Sequence, residues 1–172
     1  MITPTITIRT EAPRSLGREL ARRLRRAGLR LGLTPREIAG IAVHVVDDDA
    51  IAALNRTHMG KRGPTDVLSF PTGERDLGEW DDYEGPASDA PPVLLGDIVL
   101  SWPAVGRQAR RRDAAGLVDE ATVLVIHGLA HLLGHDHGDR REGRAMHRVE
   151  LRALAAVRVP DIARPYGLRR GA

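Results

Sequence analysis

Three histidines within eleven residues, His127, His131 and His137, are the side chains of this sequence whose type and spacing can assemble a metal centre. His127 and His131 are four residues apart at the end of an apolar run, so on a helix they sit one turn apart on the same face. One zinc ion can bridge such a pair. Gly134 follows, a residue that tolerates the left-handed conformation ending a helix, and it lets the chain reverse and return His137 as a third ligand. Three neutral imidazoles leave a divalent ion its full charge and a fourth position open to water, the layout of a catalytic rather than a closed structural site.

The spacing His-x3-His-x2-Gly-x2-His is also that of the metzincin proteases, except that Gly128 stands where they carry glutamate. That glutamate takes the proton from the zinc-bound water, and glycine has no group that can do so. Peptide hydrolysis therefore loses ground to other hydrolytic chemistry. Zinc supplies hydroxide near neutral pH without a strong side-chain base and stabilises charge on a phosphoryl oxygen, so a phosphodiester is a sensible substrate. In RNA the 2′-hydroxyl is itself a nucleophile, and attack by water and attack by the sugar both stay open. Asp136, beside the third histidine, is a candidate to orient an imidazole or assist proton transfer, and equally to cap the turn after the helix. His135 either faces solvent or approaches substrate, and Glu120 and Glu142 are the other carboxylates available as helpers.

At 172 residues the chain fits one domain with a sizeable core. It contains no cysteine, which excludes disulfides and leaves nitrogen and oxygen as the metal ligands. The first eight residues lack a basic and then apolar leader pattern, and nowhere do eighteen apolar residues run together. The expectation is a cytoplasmic protein with no membrane partner. Net charge is +3, but seven acidic residues and only Arg75 as a base lie between Pro71 and Pro91. The remaining sequence has 25 basic and 16 acidic residues, a balance of +9 that suits a polyanion such as RNA. With 25 arginines to one lysine, codon composition accounts for the bias as readily as recognition does, so charge is mild support only.

The elements that must position the histidines are legible from patterning. Residues 5–8 alternate as a strand, and 14–31 form a helix with Leu16, Leu20, Leu24 and Leu31 inward and Arg22, Arg23, Arg25 and Arg26 opposite. Thr34 to Glu37 resembles a capping box, and 41–46 is a β-branched run suited to a buried strand, with His44 as a packed or edge residue rather than a ligand. Asp47 to Asp49 cap a helix reaching about His58, with Ile51, Leu54 and Met59 inward. Strands are expected at 65–70 and 94–100, separated by an acidic surface insertion over 71–91 in which Trp80 and Tyr83 are candidate anchors. A helix from Trp102 to about Arg112 carries Arg107, Arg110, Arg111 and Arg112, a candidate RNA contact or a solvated helix end. The longest apolar helix spans 117–133 and bears the first two histidines. A final amphipathic helix runs over 140–157 through Met146, Val149, Leu151 and Leu154, and a basic tail occupies 158–172.

Three blocks in order carry a family resemblance. His127-Gly-Leu-Ala-His131-Leu-Leu-Gly134-His-Asp136-His137 looks like the signature of the YbeY family of bacterial metal-dependent endoribonucleases. Gly63-Pro-Thr-Asp-Val-Leu-Ser-Phe-Pro71 and Leu95-Gly-Asp-Ile-Val99 resemble that family's other two conserved segments. The resemblance, spanning about 41 to 155, implies an α+β fold in a single domain over 1–157. It implies a small mixed sheet packed with helices and a central, zincin-like helix holding one zinc ion through His127, His131 and His137. It further implies single-strand-directed RNA cleavage in forming the small-subunit rRNA 3′ end, and ribosome quality control. Implied partners are rRNA and the small ribosomal subunit, with ribosomal proteins or an assembly GTPase beside them. Where many members carry a functional arginine this chain has Met59, and Lys61 or Arg62 is the neighbouring charge available to replace it. Arg110 and Arg111 are the other candidate substrate contacts, and Ser69 and Asp97 in the matched blocks either shape the cleft or serve packing. Two other functions stay open, a metallohydrolase of another substrate with residual metalloendopeptidase activity, and a ribosome-assembly binding factor with structural zinc.

Overall fold

The computed structural model describes residues 3–73 and 93–160. Most of the acidic insertion, with Trp80 and Tyr83, and the basic tail from residue 161 lie outside the described residues. The elements in chain order are β1 (Thr5–Ile8), α1 (Arg14–Leu31), α2 (Pro35–Ala39), β2 (Ile41–Val46), α3 (Asp48–Met59), β3 (Val67–Pro71), β4 (Gly96–Ser101), α4 (Trp102–Gln108), α5 (Ala114–Leu132) and α6 (Arg140–Val157). The strands form one mixed sheet in the order β1-β2-β4-β3. β1, β2 and β4 run parallel, and β3 pairs antiparallel with β4. This is the small α+β domain that the sequence predicts.

Strand pleating divides the core between two faces of the sheet. Val43, Val45, Ile98 and Leu100 are fully buried on one face, in a cluster with Leu16, Leu20 and Leu24 of α1 and Leu124 and Leu129 of α5. On the other face Val46, Leu68 and Val99 pack with Ile51 of α3. α6 covers α1 and α5 with Ala153, Leu154 and Val157 set against Ala27, Val123 and Ile126. Arg23 ties α1 to α5, donating to Asp119 at 2.8 Å and Thr122 at 3.1 Å while holding Glu19 at 2.8 Å. Arg22, with Arg23 beside it, holds the Glu19 carboxylate down to about 2 against the opposing cost of partial burial.

α5 begins at the N-cap Asp113, whose side chain accepts from the Gly116 amide. Residues 120–130 are all buried, which makes α5 the central helix. It is long and apolar enough to cross a membrane by composition, and here it is the core of the fold.

Four local expectations need correction. Met59 is 43% exposed rather than inward, and the buried position one turn earlier belongs to Asn55, whose Nδ2 donates to the Gly63 carbonyl at 2.9 Å. α4 stops at Gln108 instead of reaching Arg112, because Ala109 turns extended and the chain must reach the Asp113 cap. Leu151 points to solvent on α6, and Glu150 takes the buried place beside Met146 and Leu154. β3 starts at Val67 rather than Thr65, since Asp66 accepts from the Val67 amide and so caps the strand start.

Candidate metal centre

The last turn of α5 is closed by backbone geometry that Gly134 makes possible. Gly134 adopts φ 84°, its amide donates to His131, and the His135 amide reaches back to the Ala130 carbonyl at 3.0 Å. These two bonds are the Schellman closure, in which a left-handed residue reverses the chain. Two residues later the Asp136 side chain accepts from the His137 amide at 2.7 Å, and Asp139 then caps α6 by accepting from Arg141 and Glu142. His137 is thus held in a short connector fixed at both ends.

The connector brings the third histidine to the first two. Nitrogens of His127, His131 and His137 all lie within 4.8 Å of one another. The Nε2 atoms of His127 and His131 are 3.2 Å apart, and the ring centroids of His131 and His137 are 5.3 Å apart. Tetrahedral zinc with bonds of about 2.0–2.1 Å separates neighbouring nitrogens by roughly 3.3 Å, so the first pair already has ligand spacing. The cluster grades from buried His127 through half-buried His131 to exposed His137, which keeps one side accessible. Burial, reinforced by the neighbouring His127 and His137, pulls the His131 pKa below its ordinary 6.5. A neutral imidazole is the form that donates to a metal.

Glu150 is the residue that sequence reasoning missed. Its Oε1 lies 2.8 Å from His127 Nδ1, and both side chains are almost fully buried, 6% and 7% exposed. The carboxylate calls for the proton on Nδ1, which leaves the Nε2 lone pair aimed into the cluster. The signal was present in the sequence as one carboxylate on the apolar stripe of an amphipathic helix. Glu120 and Glu142 lie elsewhere: Glu120 is buried seven residues before His127, about 10 Å along the helix, and Glu142 is exposed in the first turn of α6.

The histidines open onto a cleft of about 860 Å³ that Asn55, Met59, Lys61, Ser69, His135 and Asp136 also line. Lys61 therefore lines the same cleft as the histidines. Arg62 lines a different depression with Asp49 and Arg56, and Arg111 pairs with Asp113 at the far end of α5, with Arg110 exposed beside it. Ser69 donates to the Gly128 carbonyl at 3.3 Å, at the floor of the cleft. Asp97 faces away on the other side of the sheet and holds His44 at 2.7 Å, so His44, on the interior strand β2, lies outside the histidine cluster.

Gly128 has a packing reason as well as a chemical one. A Cβ there would sit 2.7 Å from Ile98 Cγ2 and 3.0 Å from Ser69 Oγ, so α5 meets the sheet at this point through bare backbone. A glutamate cannot enter without displacing Ile98 and Ser69 or the helix itself. Gly128→Ala is expected to lower stability by about 1–3 kcal/mol, the usual cost of overpacking a core, and urea unfolding of wild type and variant would show it as a shifted midpoint at equal slope.

Because the His131 pKa is depressed, its contribution to stability is full above the ordinary 6.5 and is lost as pH falls through the lower folded-state value. Melting curves of chelator-treated protein between pH 7.5 and 5 should show a steeper decline for wild type than for His131→Gln. Equal declines would remove His131 from the account.

The profile of the family described as endoribonuclease YbeY matches residues 9–158. Proteins named endoribonuclease YbeY include one from Rhizorhabdus wittichii, 40% identical over 131 residues, covering 76% of this chain and 73% of that protein. One from Salinispora tropica is 41% identical over 122 residues, with 71% and 76% covered, and one from Paramagnetospirillum magneticum is 35% identical over 145 residues, with 83% and 82% covered. A match over this much of the chain, at this identity, establishes that the chain belongs to the endoribonuclease YbeY family.

Proposed function

We propose that this protein is a zinc-dependent, single-strand-directed endoribonuclease that acts on rRNA, in maturation of the small-subunit 3′ end and in ribosome quality control. The observation that carries the reading is the convergence of His127, His131 and His137 beside an open cleft, in a chain of this family. When bound, a zinc ion supplies Lewis acidity toward a phosphoryl oxygen and lowers the pKa of water.

The protein's own residues supply the rest. Glu150 fixes the His127 ring and its tautomer, and burial keeps His131 neutral. Lys61 brings a positive charge to the cleft where RNA phosphates would lie. Asp136 and His135 line the same cleft and are the groups placed to move a proton, while Gly128 leaves the helix itself without a base. The tight packing at Gly128 also counts against the peptidase alternative, which needs a carboxylate there.

The test is cleavage of an end-labelled small-subunit rRNA precursor by zinc-loaded and chelator-stripped protein. Cleavage only with zinc supports the reading, and a 2′,3′-cyclic phosphate end would identify the sugar hydroxyl as the attacking oxygen. Cleavage unaffected by chelation would defeat it. In the same assay Lys61→Ala should weaken RNA binding and lower the salt slope by about one, with a smaller effect from Arg62→Ala. Equal effects from the two would deny Lys61 its special position.

A further inference from the structure

The face of the sheet turned away from α5 carries a second cavity, of about 570 Å³, between α3 and the strands. Pleating explains why it is separate: Ser69 and Ile98 face α5, whereas Phe70, Asp97 and Val99 face this side. Val46, Leu54 and Val99 give it apolar walls. Phe70 meets His58 edge to face with ring centroids 5.1 Å apart, which makes an aromatic corner. Asp97, half-exposed, is fixed by His44 at 2.7 Å, and Arg9 supplies a positive charge.

An apolar slot with an aromatic edge, one oriented carboxylate and one arginine matches an unpaired nucleobase and its phosphate. The carboxylate selects among bases. Guanine presents adjacent N1–H and N2–H donors that a carboxylate can take together, whereas uracil presents a single N–H. The two sites also share their framework. Consecutive residues of the edge strand β3, Ser69 and Phe70, face one site each, and on α3 Asn55 and Met59 line the histidine cleft while Leu54 and His58 line this cavity.

We infer that this cavity binds an unpaired guanine base of the RNA strand on which the histidine cleft acts, the strand passing around the edge of β3. The inference rests on the endoribonuclease reading, and its test separates the two. Guanosine 5′-monophosphate and uridine 5′-monophosphate are titrated into His131→Ala protein, with amide and methyl shifts followed by NMR. The expected result is guanosine monophosphate binding about tenfold tighter than uridine monophosphate, the worth of one bidentate contact, with shifts at Val46, Leu54, Phe70 and Val99. Asp97→Asn, a near-isosteric change at a half-exposed position, should remove that preference, and His58→Ala should weaken both ligands.

Equal binding of the two nucleotides, a preference that survives Asp97→Asn, shifts confined to the histidine cleft, or no binding at all would overturn the inference. If the wild-type protein cleaves no RNA while the guanine preference is seen, the RNA-cleavage reading falls and the cavity stands as a nucleotide site. If RNA is cleaved and no preference is seen, the cavity assignment alone falls.

Discussion

Replacing His131 by alanine is expected to reduce cleavage of a labelled rRNA precursor by about 1,000-fold, equivalent to about 4 kcal/mol of lost transition-state stabilisation. Zinc content should fall with it, because two imidazoles cannot hold the ion as three do. The fold should not suffer. His131 is only half-buried on the last turn of α5, and alanine is the stronger helix former. Elemental analysis, activity and a melting curve on one preparation therefore make a sharp set: metal and activity lost, metal-free stability kept. A contaminating nuclease would show itself by equal cleavage from both proteins. A protein in which zinc chiefly holds the fold would melt early when stripped of metal, with or without the substitution.

Glu150→Gln carries the second large effect, and its two readouts should move in opposite directions. The amide still fills the space and can still accept from His127, but it lacks the charge that makes the imidazole a better ligand. Loss of such a supporting carboxylate costs about 10–100-fold in metal affinity or activity. Without metal, however, a carboxylate that is 6% exposed is expensive to keep, even with His127 Nδ1 2.8 Å and His147 Nδ1 3.5 Å away. Metal-free Glu150→Gln should therefore be as stable as wild type or more so, while its zinc affinity drops. A residue needed only for packing would show lower stability and unchanged zinc affinity, and that outcome would end the positioning role.

What could be read in advance depended on the distance along the chain over which each feature is decided. His127, His131 and Gly134 lie within one helical turn and its closure, so spacing alone placed them correctly on the end of α5. The capping box at Thr34 and Glu37 and the helix caps at Asp47 and Asp113 are local for the same reason. Glu150 reaches His127 only because α6 folds back over α5, and periodicity on α6 says which face is buried without saying what that face meets. Ser69 and Asp97 look equivalent as members of matched blocks, yet the register of β3 against β4 sends them to opposite sides of the sheet. The arginines at 110–112 extend the helical pattern of α4 on paper. The next helix's cap at Asp113 overrides that pattern.

The compactness of the ligand set bears on how metal binding and folding are coupled. All three imidazoles lie between residues 127 and 137, so the unfolded chain carries a local partial chelate. A metal ion that binds both ends of the folding equilibrium would confer less stabilisation than its affinity for the native site alone would give. Raising the zinc concentration should lift the melting temperature with diminishing return, because each increment also feeds the unfolded ensemble.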